Sequence, residues 1–220
     1  MAFMFSCLML VVSARAQYEK LFTSGPAFVN FPYPTIPLNC SEIGPSGSPL
    51  GVDHMKDGAG FFPALEWPSP AGNIREYLLV AEDPDAPLPH AVVHGLYYGI
   101  PRVFTGLEHD DFQVSRTHND SYMLEGGFKY GQNRGNTVYL PPKSNPEDGP
   151  HRYFFELIAL SAPIDRSRLS DRATLREVAD AIYGRVVGWG AWVGIVNNNR
   201  ISISVWFGCG LRFPEDMLLY

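Results

Sequence analysis

Tyr77-Leu78-Leu79-Val80-Ala81-Glu82-Asp83-Pro84-Asp85-Ala86-Pro87 decides how this chain is read. Its first five residues form an unbroken apolar run between Arg75-Glu76 and Glu82-Asp83. Such a run without alternation reads as a strand buried on both faces, at the centre of a sheet. Pro84 ends it, because proline has no N–H to give to the ladder. Pro84, Pro87 and Pro89 stiffen the loop beyond the strand, each fixing its own φ and pushing the preceding residue towards extended geometry. Two carboxylates, Asp83 and Asp85, are thereby held at a strand end. An Asp-Pro-Asp stretch also reads as an Asx turn in which each acid caps nearby amides.

Outward from this stretch, Val92 to Ile100 is the next strand, closed by Pro101. Period two places His94 with Leu96, Tyr98 and Ile100 on one face. Residues 102–150 read as long loops with short strands, and Arg152 to Leu160 as a third strong strand. There His151, Tyr153 and Phe155 share a face, while Arg152 points the other way, as a surface salt bridge or structural clamp. Pro63-Ala64-Leu65-Glu66-Trp67 opens the β region; residues 17–62 before it are loop-like. Thr174-Leu175-Arg176-Glu177 has the form of a capping box, and Leu175, Val178, Ala179 and Ile182 make one apolar helical stripe. Gly184 fits the residue just past that helix. Residues 186–196 are expected to form a second, glycine-containing helix. Beyond Asn197-Asn198-Asn199, Ile201, Ile203, Val205 and Phe207 alternate with polar or aromatic neighbours as in a last strand.

The whole chain, 220 residues with 45% hydrophobic and 18% charged, is compatible with one well-cored domain over 17–220. Its 21 glycines and 19 prolines favour short strands and turns over long helices. A net charge of −6 and no basic stripe give a nucleic-acid or anionic-membrane partner no support. Residues 1–16 are expected to be a signal peptide. Phe3 to Val12 is apolar apart from Ser6 and is shorter than the about 20 residues a membrane span needs. Ala14-Arg15-Ala16 offers a small-x-small cleavage pattern, although a basic n-region is missing. Secretion is thus the expected destination, with the cytoplasm as the alternative. Cys7 would leave with the signal; Cys40 and Cys209 remain, as one disulfide or as two buried thiols. Asn39-Cys40-Ser41 and Asn119-Asp120-Ser121 fit the glycosylation pattern.

Candidate chemistry gathers at the strand ends: two carboxylates, two imidazoles and a phenol. A carboxylate accepting from one imidazole nitrogen leaves the other nitrogen to face a ligand. A metal is not expected, because no cysteine pair or His-Glu-x-x-His helix accompanies these acids and histidines. No Gly-x-Ser-x-Gly elbow, phosphate-cradling glycine loop or dinucleotide fingerprint occurs, and no cofactor is expected.

At these residues the chain resembles the phosphatidylethanolamine-binding protein family, nearest its bacterial and fungal branch. Asp83 to Pro87 matches the first signature, and His94-Gly95-Leu96-Tyr97-Tyr98-Gly99-Ile100-Pro101 the strand after it. Tyr139-Leu140-Pro141-Pro142 and Gly149-Pro150-His151-Arg152-Tyr153 match the second signature, and the likeness covers about residues 60–196. The resemblance implies a mainly β fold, an antiparallel two-sheet β-sandwich with a few flanking helices. It also implies an anion pocket formed by Asp83, His94, His151 and Tyr153. The backbone near Leu140 would add a donor, and Asp85 would take a more structural part. Leu140 and Gly184-Arg185 depart from the usual pattern, and residues 197–220 form an extension without a clear counterpart.

Three functions are compatible with this reading. The first is binding of a small anionic or zwitterionic ligand, such as a phospholipid headgroup or phosphoethanolamine, or of a pathway metabolite. The second is a cofactor-independent auxiliary enzyme of a secondary-metabolite pathway, catalysing for example an isomerisation or cyclisation. It would use Asp83, His94 and His151 for general acid–base chemistry. The third is a protease or kinase inhibitor, as some relatives are.

Overall fold

The computed structural model describes residues 18–116, 120–143, 147 and 149–197. Among these the fold is mainly β. The strands are β1 (Ser48–Pro49), β2 (Leu65–Glu66), β3 (Glu76–Asp83), β4 (Val92–Pro101), β5 (Gly106–Leu107), β6 (Lys129–Tyr130), β7 (His151–Leu160) and β8 (Val186–Val196). A six-stranded sheet runs in the order β1-β8-β7-β3-β4-β6, and β2 pairs with β5 in a two-stranded sheet. Pairing is antiparallel except between β1 and β8, which run parallel.

β3 lies between β7 and β4, and all eight of its residues are buried. Its alternate side chains feed two cores. Tyr77, Leu79 and Ala81 join Phe62, Trp67, Phe155 and Trp192 on one face, together with Leu65 and Leu107 of the small sheet. Leu78 and Val80 join Leu96, Ile158, Val178 and Ile182 on the other. The helix α1 (Leu175–Ala181) covers this second core. Its capping box forms in both directions, Glu177 N–H to Thr174 Oγ1 at 3.2 Å and Thr174 N–H to Glu177 at 2.7 Å. Gly184 comes next at φ 73°, the left-handed geometry that glycine adopts without a Cβ clash.

Two expectations are corrected. Residues 186–196 are the strand β8, not a helix. Gly188, Gly190, Trp192, Gly194 and Val196 fall at period two on one buried side of that strand, while Val186, across a register shift, is buried in the second core. Glycine there serves close approach of the chain at 35–50: a Cβ on Gly190 would lie 2.0 Å from the Ile36 carbonyl oxygen, and one on Gly194 2.6 Å from Leu50. The second correction concerns His94. Ala81 pairs with Gly95 and Glu82 with Val93, so His94 is an extra residue in a bulge. Tyr77 pairs with Ile100 and Leu78 with Tyr98, leaving Gly99 as a second irregularity at φ 80°. These breaks cancel strict alternation. His94 turns towards Tyr153 on the first face, where Tyr97 and Ile100 also lie, while Leu96 and Tyr98 serve the second.

Several expectations lie outside the described residues: the signal peptide 1–16, the strand 201–207, the extension beyond Asn197, Asn119 and Cys209. Cys40 is buried, and burial pushes its thiol up to about 11. Asn39 is exposed.

Candidate functional site

Asp83 is the last residue of β3, and its carboxylate is nearly filled by the protein. Oδ1 accepts the N–H groups of Asp85 at 2.8 Å and Ala86 at 3.2 Å. Oδ2 accepts His151 Nδ1–H at 2.7 Å. The Asx turn and the positioned acid are therefore one arrangement: the same carboxylate closes the loop and orients the imidazole. Both side chains are buried, which strengthens the bond relative to one in water. His151 begins β7, next to β3 in the sheet, so the pair is set by register.

Asp85 does not line the hollow. Arg152 takes its carboxylate with three donors: its backbone N–H at 2.9 Å and Nε at 2.8 Å to Oδ2, and Nη2 at 2.7 Å to Oδ1. Burial works against the Asp85 charge, but the bonds from Arg152 together outweigh it and hold the carboxyl below its usual range. The guanidinium also lies 5.0 Å from the Tyr18 ring centroid and 5.6 Å from that of Phe154. Lys20 donates to the carbonyls of Pro84 at 3.1 Å and Leu88 at 2.9 Å. The proline-rich loop is thus pinned through Asp83, Asp85 and its own carbonyls.

His94 donates Nδ1–H to the Leu140 carbonyl at 2.6 Å, and the Leu140 N–H returns to the His94 carbonyl at 2.9 Å. The donor expected from the backbone at Leu140 is therefore spent inside the protein. Leu140 instead positions His94 and gives its side chain to the wall. Burial pushes the His94 imidazole down, towards its neutral form, and positive charge on His151 adds to this. Tyr153 stands between the imidazoles, its ring centroid 5.0 Å from that of His94 and 6.4 Å from that of His151. Burial raises the Tyr153 phenol, and its oxygen accepts the Lys143 backbone N–H, so its own proton is left to give.

Asp83, His94, Leu140, His151 and Tyr153 line a hollow of about 510 Å³, within the ~300–1,000 Å³ usual for small-molecule clefts. His151 Nε2 is buried there without a hydrogen-bond partner. A buried polar atom left unpaired costs about 1–3 kcal/mol, so its natural completion is a ligand or water. Lys56, Arg134 and Lys143 also line this hollow and are exposed. The sequence reading missed all three. Lys143 directly follows Tyr139-Leu140-Pro141-Pro142 and was findable there. Lys56 had no local signal; it arrives because its N–H donates to the Pro142 carbonyl at 2.9 Å.

Among the described residues, no group of three or more His, Cys, Asp or Glu side chains is arranged to hold a metal ion. No helix among them is long and apolar enough to cross a membrane.

Residues 40–197 match the family described as Phosphatidylethanolamine-binding protein, and the chain belongs to that family. It is 42% identical over 184 residues to the Phomoidride biosynthesis cluster protein B of Talaromyces stipitatus, across 83% of this chain and 76% of that protein. It is 33% identical over 140 residues to a UPF0098 protein of Methanothermobacter thermautotrophicus, across 63% of this chain and 84% of that protein. Among solved structures, that of E. coli YBCL, described as a new member of the mammalian PEBP family, superposes with a TM-score of 0.61 at 20% identity. That match covers 74% of this chain and 98% of YBCL, and it speaks for the fold.

Proposed function

We propose that this protein binds a small organic anion in the hollow between the Asp83 loop, β4 and the start of β7. One observation carries the reading: Asp83 fixes Nδ1 of His151, a residue that lines the hollow, and the ring's buried Nε2 has no hydrogen-bond partner. Tyr153 adds an O–H donor, and Lys56, Arg134 and Lys143 supply positive charge around the same space. The charge count favours an anion over a zwitterion, because three bonds already occupy Asp83 and an ammonium would find it engaged. The resemblance to a phomoidride biosynthesis cluster protein supports a pathway metabolite as the ligand, in a secondary-metabolite pathway. We infer also that the two sheets pack as the family's sandwich, and that residues 1–16 direct the chain into the secretory pathway.

A second reading rests on the same pair. A carboxylate–imidazole couple with a free Nε2 is a general acid–base device, and a protonated Tyr153 beside it can steady developing negative charge. Under that reading Nε2 of His151 moves a proton on the bound metabolite, with Asp83 positioning and no cofactor. Asp83, His94, His151 and Tyr153 are the proposed binding residues. Asp85 and Leu140 serve in support.

The test is calorimetric titration of methyl phosphate and phosphoethanolamine. Wild-type protein is expected to bind methyl phosphate at least as tightly as phosphoethanolamine, and His151→Ala to lose at least tenfold. Arg134→Gln, at an exposed position that cannot threaten folding, should lose about threefold. Unchanged affinity in both variants refutes the site.

A further inference from the structure

Residues 18–31 lie on the face of the large sheet that carries the second core, in two 3-10 turns, Phe22–Ser24 and Pro26–Phe28. Their hydrogen bonds to other backbone groups are local among the described residues, such as Gly25 N–H to the Phe22 carbonyl and Phe28 N–H to the Gly25 carbonyl, each 3.0 Å. Side chains hold the segment to the body. Phe22 and Phe28 enter the second core, and Trp189 donates Nε1–H to the Phe31 carbonyl at 2.8 Å. In the middle, two buried carboxyls take its polar groups, Glu82 the Phe22 N–H and Glu156 the Thr23 hydroxyl. At the leading end, Lys20 grips both ends of the proline loop through the Pro84 and Leu88 carbonyls, and the Tyr18 ring covers Arg152.

Glu82 pairs with Phe154 and Val80 with Glu156, so the two acids are diagonal neighbours on adjacent strands, 1% and 0% exposed. Glu156 Oε2 is buried without a donor, and a proton on Glu82 supplies one. Among the described residues no cation pairs with either acid. Arg152 is turned to Asp85, Lys20 to the loop carbonyls, and Glu19 is exposed on the segment itself. β4 brings Val93 beside Glu82 and, further along, Tyr98, whose phenol is engaged at Ala173. β8 carries no titratable side chain, Glu76 of β3 meets the Ile164 N–H at 3.4 Å, and α1 keeps Glu177 in its capping box with Arg176 and Asp180 exposed. Two negative charges in that space have nothing to balance them. Both acids sit in strands paired on each side, so the segment above them is the part that can move.

We infer that residues 18–31 are a proton-latched strap that positions the Asp83 loop through Lys20: closed while Glu82 and Glu156 hold a proton between them, released when both are charged. Its effect on the hollow rests on the anion-binding reading above; its effect on the loop does not. The sign follows from burial. The doubly charged pair is favoured with the strap off, so the strap is closed at low pH and opens as pH rises.

Hydrogen exchange of the full chain at pH 5 and pH 9, corrected for the intrinsic rate at each pH, tests this. In the wild type, exchange at the amides of Phe22, Ser24 and Gly25, and at those of Asp85, Ala86 and Leu88, should rise at least about tenfold at pH 9. Glu82→Gln, whose amide stands in for the protonated acid, should hold both sets at their pH 5 rates, and Glu156→Gln should act alike. Both variants keep every histidine, so a lost response belongs to the acid pair. Lys20→Met should free the loop amides at pH 5 while the strap amides stay protected. Equal wild-type exchange at both pH values, or a pH response that survives both glutamine variants, overturns the latch. A strap that opens without the loop following overturns the role of Lys20. Titration with methyl phosphate at pH 9 reads the hollow: Glu82→Gln should bind at least about threefold more tightly than the wild type. Equal affinities overturn control of the hollow, and no binding by either protein at either pH overturns the anion reading while the exchange results decide the strap.

Discussion

Asp83→Asn separates binding from catalysis at one atom. In the wild type, Oδ1 accepts two loop amides at 2.8 and 3.2 Å, and an asparagine oxygen can accept the same two. The change falls on the other oxygen, which accepts His151 Nδ1–H at 2.7 Å. Replacing it by an NH₂ group turns the bond around: Nδ1 becomes the acceptor and Nε2 must carry the hydrogen. A bond to a charged group contributes about 1.5–3 kcal/mol against about 0.5–1.5 for a neutral one, so stability should fall by roughly 1–1.5 kcal/mol. Anion binding should survive, because Nε2 then carries a hydrogen to donate, and should weaken by less than about tenfold. General-base chemistry should not survive, because Nε2 has lost its lone pair; the expected loss of turnover is about 10²–10⁴. Histidine ¹⁵N spectra report the tautomer directly, and titration with methyl phosphate reports the binding. A His151 tautomer that is the same in both proteins would refute the reasoning, since Asp83 would then not be setting it.

Other consequences are as direct. Glu82 and Glu156 are buried under the segment carrying Phe22 and Thr23; burial raises both carboxyls, and each other's presence raises Glu82 further. Raised acids stabilise the fold below their unfolded value of about 4.3 and lose that contribution as pH rises through the folded value. Glu156→Gln should therefore raise the melting temperature at pH 8 and not at pH 4, and a gain independent of pH would count against this. Asp85→Ala removes three bonds from Arg152 and leaves a half-buried guanidinium, so urea titration should show a loss of about 2–3 kcal/mol. Phosphate affinity should fall with it as the loop loosens; a loss of stability below about 0.5 kcal/mol would contradict the clamp. Gly190→Ala sets a Cβ 2.0 Å from a backbone oxygen, so a cost of at least about 3 kcal/mol is expected, and a neutral substitution would refute the close crossing.

The central strand, its proline stop and the capping box were legible because each is written in consecutive residues. Tyr77 to Ala81 has one period, Pro84 one missing donor, and Thr174 and Glu177 one fixed spacing. The site was legible as a set of residue types at strand ends, but not as a wiring diagram. Which oxygen of Asp83 meets which nitrogen depends on the pairing of β3 with β7, a contact across 68 residues. The bulge that turns His94 was hidden for the same reason: alternation assumes no extra residue, and only the partner strand reveals one. β8 misled because glycines at 188, 190 and 194 weaken a strand's own signal. Their purpose is the chain at 35–50 lying against them, which no local window contains.

The wiring narrows the chemistry more than the residue types do. An acid at the mouth of a pocket is free to take a cation, to repel an anion or to accept a proton. Asp83 does none of these directly, since two amides and an imidazole use its oxygens. Its negative charge is delivered through His151, so the ligand meets an imidazole whose proton is governed from behind. His94 is held by Leu140 and kept towards its neutral form by burial, so it shapes the wall and leaves the proton to its neighbour. Tyr153, raised by burial, keeps its hydrogen. The hollow therefore presents one proton donor with a fixed state and one imidazole nitrogen with a mobile one, beside exposed cations. Under the proposed function that combination holds an acid, and under its second reading it also shifts a proton on it. The two functions thus differ only in whether the bound molecule places a labile hydrogen at Nε2.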